Sequence, residues 1–212
     1  MKNSTYIIIL LSLGILFVSY KWATVSDSSE PAVSEAGSDA YQTIMTRTSV
    51  RSYSDREISG NQVDSLLKAA MAAPTAGNKQ PWRFVVIKDK KILSYIAENN
   101  KSMTMMENAP LAIVVCGDTT ASFPGQGREY WVQDASAATE NLLLAAHDMG
   151  LGAVWCGVYP IDDRVREFSA LLNLPPEILP LNCIAVGYPN APSSPKDKWK
   201  PEYVRYNRWN EK

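Results

Sequence analysis

Residues 129–157 read EYWVQDASAATENLLLAAHDMGLGAVWCG. From about Glu129 to Met149 there is neither proline nor glycine. The middle of the stretch, Ala135, Ala137, Ala138, Leu142, Leu143, Leu144, Ala145 and Ala146, is apolar around most of its circumference. That pattern predicts the longest helix of the chain, one with protein on most sides. Gly150 stops it, and Ala153-Val154-Trp155-Cys156 then reads as a strand. A buried helix feeding into an apolar strand needs covering layers, so the pattern implies a layered sheet, α/β or α+β.

The flanking sequence repeats this alternation. Leu111-Ala112-Ile113-Val114-Val115-Cys116 is a continuous apolar run typical of a buried strand. Arg83–Ile87 and Asn182–Val186 read as two further strands. Helices are predicted over Asp39–Met45, after Ser59 as cap, over Ile92–Asn99 and over Asp162–Leu172. The Ser59 helix carries Val63, Leu66, Leu67, Ala70 and Met71 at helical spacing and ends before Pro74 and Gly77. The tail from Tyr188 is rich in Pro, Lys and aromatic residues. Trp199, Tyr203, Tyr206 and Trp209 read as anchors that hold an arm onto the domain or onto a second subunit.

The chain has 212 residues, 46% hydrophobic and 20% charged, which fits one globular domain with an appendage. With 21 Lys+Arg against 22 Asp+Glu the net charge is -1. No global basic field exists to attract nucleic acid by counterion release, so any anion site must be local. Met1 and Lys2 precede an uncharged apolar run from Tyr6 to Tyr20. This predicts a signal peptide or membrane anchor over residues 1–23, then a Ser-, Asp- and Glu-rich tether over 24–38. The working domain is 39–212. The leader makes an exported or membrane-anchored protein, on the periplasmic side, the expected location; a cytoplasmic one is the alternative. Cys116, Cys156 and Cys183 form no CxxC and each sits in an apolar run, so they read as small buried hydrophobes. No metal site is expected. His147, the single histidine, reads as a packed core residue.

Three segments carry chemistry. Arg47-Thr48-Ser49-Val50-Arg51 puts two guanidiniums and two hydroxyls where they can surround a phosphate. In Pro74-Thr75-Ala76-Gly77-Asn78, small residues admit a flat ligand and Asn78 offers both a donor and an acceptor. Trp155-Cys156-Gly157 ends a strand with an unhindered N–H. None is a GxGxxG or a P-loop. Residues 119–131 are a candidate lid in which Phe123, Tyr130 and Trp131 either stack on an aromatic acceptor or simply anchor the loop.

In this order, RTSVR at 47–51, PTAGNKQPWRF at 74–84, ENAPLAIVVCGD at 107–118, AAHDMGLGAVWCGVYP at 145–160 and the WKPEYVRYNRW tail resemble the FMN-dependent nitroreductase family. The resemblance implies an α+β, three-layer fold: a central, mostly antiparallel sheet flanked by helices, with a C-terminal arm exchanged in a homodimer. It implies FMN at the subunit interface, with Arg47 and Ser49 on the phosphate, Thr48 contributing its backbone, and Arg51 nearer the pyrimidine edge of the ring. Pro74, Thr75, Ala76 and Asn78 would reach the flavin from the partner. Trp155, Cys156 and Gly157 would line the ring, with Cys156 a packing residue and not a nucleophile. Relatives place a basic residue just before a Lys-Pro pair, where this chain has Trp199, so Lys198 or Arg208 would supply the remaining cation. The implied activity is ping-pong hydride transfer from NADPH or NADH, through FMN, to a small-molecule acceptor such as a nitroaromatic, quinone or enone. The alternatives are an exported flavin carrier or sensor without NAD(P)H turnover, and a reductive dehalogenase on the same scaffold.

Overall fold

The structure, a computed structural model, describes residues 39–209. The leader and tether expected over 1–38 lie outside the described residues. Among the described residues five α-helices, α1 (Asp39–Thr46), α2 (Gly60–Met71), α3 (Lys90–Asn99), α4 (Tyr130–Asp148) and α5 (Asp162–Leu171), accompany four strands. These are β1 (Trp82–Ile87), β2 (Leu111–Asp118), β3 (Gly152–Gly157) and β4 (Ile178–Gly187). The strand order is β1-β2-β4-β3, and every neighbouring pair is antiparallel.

The two-residue period of β2 explains its unbroken apolar run. Leu111, Ile113 and Val115 face a core with Leu66 and Ala70 of α2 and Trp131, Ala135, Ala138 and Leu142 of α4. Ala112, Val114 and Cys116 face the opposite core, with Leu93 and Ile96 of α3, Met103, Met106, and Phe168 of α5. Helices therefore cover both faces of the sheet, which gives the three-layer α+β arrangement. Leu142, fully buried, represents the side chains that hold α4 down; deleting such a group typically costs about 2–5 kcal/mol.

Local signals set the helix ends. Ser59 accepts from the Gln62 backbone N–H at 3.3 Å while Gln62 Oε1 accepts from the Ser59 N–H at 3.1 Å, a reciprocal cap on α2. His147 departs from the sequence expectation. It is half-buried, and its Nε2 lies 2.9 Å from Thr46 Oγ1. The Thr46 hydroxyl already donates to the Gln42 carbonyl at 2.7 Å, so the imidazole N–H is the donor, tying α4 to α1.

After β4 the chain is strapped back onto the domain. Ser54 N–H donates to Tyr188 O at 2.9 Å, and Asn190 Nδ2 donates to Tyr53 O at 2.6 Å. Beyond Asn190 the arm stays out on the surface. Trp199, Tyr203, Tyr206 and Trp209 are 69–78% exposed, so they are not anchored on their own domain.

Candidate functional site

The site is built on the free edge of β3. Ser49 bridges Ala153 in the parallel sense, and Val50 N–H donates to Ala153 O at 3.1 Å. Gly152 makes this approach feasible: a Cβ there would lie 2.6 Å from Val50 Cβ. The end of α1 and this edge contact carry Arg47, Thr48, Ser49 and Arg51 into one cleft of about 270 Å³. The returning arm closes the other wall with Ser193, Ser194, Lys196 and Lys198. Thr48 and Ser193 hydroxyls hydrogen-bond across the cleft.

Four cations and four hydroxyl side chains thus converge. Only one of the cations has a carboxylate partner among the described residues: Arg47 Nε lies 3.6 Å from Glu140 Oε1 on α4. Of the residues singled out in the sequence, Arg47, Thr48, Ser49, Arg51 and Lys198 line this cleft together. Arg208 does not line the cleft, whereas Lys196, Ser193 and Ser194 are additions. The lysines left a signal: positions 196 and 198 share one side of an extended chain.

Trp155, Cys156 and Gly157 lie at the carboxyl end of β3, with Trp155 and Gly157 exposed and Cys156 buried between them. A Cβ on Gly157 would meet nothing within 4 Å, so its flank is open. Its carbonyl accepts from Arg164 Nη1 at 2.9 Å. The Cys156 sulfur sits 4.0 Å from that of Met105. Burial pushes its thiol pKa up, against a smaller pull from Arg51 and Arg164. A thiol protonated at neutral pH packs; it does not attack. Tyr53 braces the same edge by donating to Val50 O at 2.6 Å, and burial pushes its phenol pKa well up.

The second half-site lies elsewhere. Thr75 and Ala76 are half-buried, while Pro74 and Asn78 are exposed, in the turn between α2 and β1. Gly77 (φ 55°), Asn78 (φ 55°) and Gln80 (φ 49°) all take left-handed backbone. The Phe123 ring covers Gly77 so closely that a Cβ would come within 2.6 Å of it. Since β1 and β3 are opposite edges of the sheet, three strand spacings separate them, about 14 Å. One chain therefore does not bring Pro74–Asn78 onto its own cation cleft. In the candidate lid, Trp131 is not available to a substrate. It is fully buried and packs edge-on against Tyr159, with ring centroids 4.9 Å apart. Phe123 is half-buried and Tyr130 exposed.

The sequence profile of the Nitroreductase family matches residues 44–104 and 94–188, which include the 47–51 segment, the turn before β1 and all four strands. The chain belongs to the nitroreductase family. As a nitroreductase it is an NAD(P)H-dependent oxidoreductase. It is similar to a protein of Methanothermobacter thermautotrophicus provisionally named an NADH dehydrogenase/NAD(P)H nitroreductase. The two are 40% identical over 172 residues, covering 81% of this chain and 88% of that one. A crystal structure under the same name from Parabacteroides distasonis superposes with a TM-score of 0.78 at 43% identity, covering 81% and 99% of the two chains. A provisionally named nitroreductase from Desulfovibrio desulfuricans, solved in complex with FMN, gives a TM-score of 0.69 at 31% identity, with coverage of 79% and 95%.

FMN fits what this nitroreductase offers. Its phosphate matches a cleft with four cations and four hydroxyls, and its flat ring matches the open flank of Gly157 beside exposed Trp155. Among the described residues no cluster suited to a metal ion occurs.

Proposed function

We propose that this nitroreductase is a homodimer that holds FMN between its subunits and reduces electron-poor small molecules at the expense of NADH or NADPH. Nitroaromatics, quinones and enones are the acceptor classes, taken in a ping-pong cycle. The observation that carries the proposal is the cation cleft against β3, since four converging positive charges in a chain of net charge -1 call for a phosphate.

Arg47, Ser49, Lys196 and Lys198 would grip that phosphate, and Thr48 would contribute its backbone. Arg51, close enough to Cys156 to act on its thiol, would lie toward the pyrimidine edge of the ring. Gly157 leaves room for the ring, Trp155 flanks it and Cys156 packs beneath. Pro74, Thr75, Ala76 and Asn78 would come from the partner subunit, because their own cleft is a sheet-width away. Bound FMN supplies the hydride-accepting and electron-donating chemistry, so the chain needs no acid–base dyad of its own. The protein's part is to bind, orient and exclude water.

Dimerisation is supported by apolar groups left uncovered. Besides the four arm rings, Tyr41, Ile44 and Met45 of α1 are 54–56% exposed. Exposed apolar side chains of this size support an interface between copies of the chain. Residues 1–23 are proposed to direct the domain out of the cytoplasm or to anchor it. Among the described residues no helix is long and apolar enough to cross a membrane. Fractionation of cells producing the full chain tests the leader: recovery in the cytosol with Met1 retained would favour the cytoplasmic alternative. The activity is tested by mixing the FMN-loaded protein with NADH or NADPH. Bleaching of the flavin band and its recovery on adding a quinone are expected. A band that stays unchanged with both reductants contradicts the proposal.

A further inference from the structure

The turn that carries Pro74–Asn78 has an unusual shape and few hydrogen bonds from outside, with the Phe123 ring packed over Gly77. Gly77, Asn78 and Gln80 are left-handed, and the last two carry a Cβ that makes this conformation unfavourable. Most of the bonds holding it are its own. Asn78 N–H donates to Thr75 O at 3.2 Å, Gln80 N–H to Thr75 Oγ1 at 3.2 Å, and Gln80 Nε2 to Asn78 Oδ1 at 2.8 Å. For Thr75–Asn78, among the described residues, one hydrogen bond comes from another element. The Ala76 N–H donates to Asp134 Oδ1 on α4 at 2.9 Å.

Asp134 is an expensive residue for its position. It is 4% exposed, and its Oδ2 is buried without a partner. A carboxylate in such surroundings is unfavourable unless its bonds compensate. Packing alone would be served better by an alanine or leucine, the residues that fill most of this buried helix face. The same helix also carries Glu140, which pairs with Arg47 of the cation cleft. One rigid element thus reaches both half-sites.

We propose that Asp134 is a positioning residue for the cofactor. By fixing the Ala76 amide it sets the shape of the Thr75–Asn78 turn, and thereby the FMN affinity of the site that this turn completes in the partner subunit. The inference rests on the reading of Pro74–Asn78 as flavin contacts. Asp134 itself touches no substrate; it acts through Ala76.

The test compares Asp134→Ala with Asp134→Asn in the full chain, measuring FMN dissociation, Ala76 amide hydrogen exchange and the unfolding midpoint without FMN. Losing a buried acceptor should weaken FMN binding by roughly tenfold and expose the Ala76 amide to exchange. Asparagine keeps a carbonyl oxygen in place and should hold the affinity within about threefold of the parent. Thr139→Ala serves as the structural control. Its buried hydroxyl bonds Ala135 O and Asn182, so the change should lower the midpoint without altering FMN affinity. An Asp134→Ala protein that binds FMN like the parent overturns the inference. If that variant does not fold, Asp134→Asn decides: affinity and Ala76 protection kept or lost together uphold the inference, and loss of one without the other overturns it. Asn78→Gly, which suits the left-handed backbone while removing the side chain and the bond it accepts from Gln80 Nε2, separates the two claims when Ala76 exchange is followed beside FMN affinity. If it leaves FMN binding intact, the reading of the turn as a flavin contact fails. If it weakens binding and Asp134→Ala does not, the positioning role alone fails.

Discussion

Replacing Arg47 by alanine removes one of four cations from the cleft and strands Glu140, its partner at 3.6 Å. The Arg47 side chain is only 15% exposed, so its charge faces the cleft more than bulk water. A hydrogen bond to a charged group contributes about 1.5–3 kcal/mol. That corresponds to an FMN dissociation constant raised between about tenfold and about 150-fold. Glu140 is 51% exposed, so solvent screens the charge it would present to the phosphate. Loss of this half-exposed ion pair should cost the fold under about 1 kcal/mol. The change should therefore act on FMN and hardly on the unfolding midpoint of the FMN-free protein. The assay is fluorescence titration of FMN into stripped protein at several salt concentrations. Weaker binding with a reduced salt dependence is expected, and Arg47→Lys should recover part of the loss. An Arg47→Ala protein that binds FMN within about twofold of the parent, below the smallest effect expected, would refute the phosphate assignment.

Of the two arm cations that the sequence leaves as alternatives, Lys198 lines the cleft and Arg208 does not. Lys198→Ala should raise the FMN dissociation constant by about tenfold, and Arg208→Ala, outside the cleft, should leave it unchanged in the same titration. Leu142→Ala, at a fully buried position in α4, should lower the unfolding free energy by about 2–5 kcal/mol in a urea titration. Alkaline pH should destabilise the fold. Burial pushes the Cys116 thiol from its ordinary 9.0 to about 12, so between those values the unfolded chain loses a proton that the folded one keeps. Stability contributed by this group is complete below pH 9 and declines by about 1.4 kcal/mol per unit as pH rises toward 12. Buried Cys183 acts in the same sense. Cys116→Ala should flatten that decline in unfolding titrations run at successive pH values.

Much of the fold was legible because burial leaves a periodic trace. α4 and β2 are apolar in patterns that only a layered core explains, and Gly150 marks the junction with β3. Strand order was not legible. Nothing in the local sequence of β4 says that it inserts between β2 and β3, since that is decided by how both faces are covered. The short turns at Ala76–Asn78 and Gly125–Glu129 escaped too, being too brief for a period. Of the two readings of Trp131, its burial favours the anchoring one, for a physical reason. An aromatic residue at a helix start after a loop resembles a lid, yet Gly117 on β2 leaves room for its ring in the core. His147, on an Ala-rich helix, read as core and instead donates to Thr46. Of the site, the 47–51 segment and the end of β3 could be read from residue types alone. Lys196 was discernible only as every-other-residue spacing with Lys198. Asp134 carried no signal, because a buried carboxylate and a solvated one look alike in sequence.

Sedimentation of the full chain with FMN, followed in the flavin absorption band, tests the two-subunit cofactor site most directly. The colour should travel with a species of twice the chain mass, and Arg47→Ala should release it to the free-ligand boundary. Flavin left at the meniscus while the parent protein sediments as a single chain would contradict it.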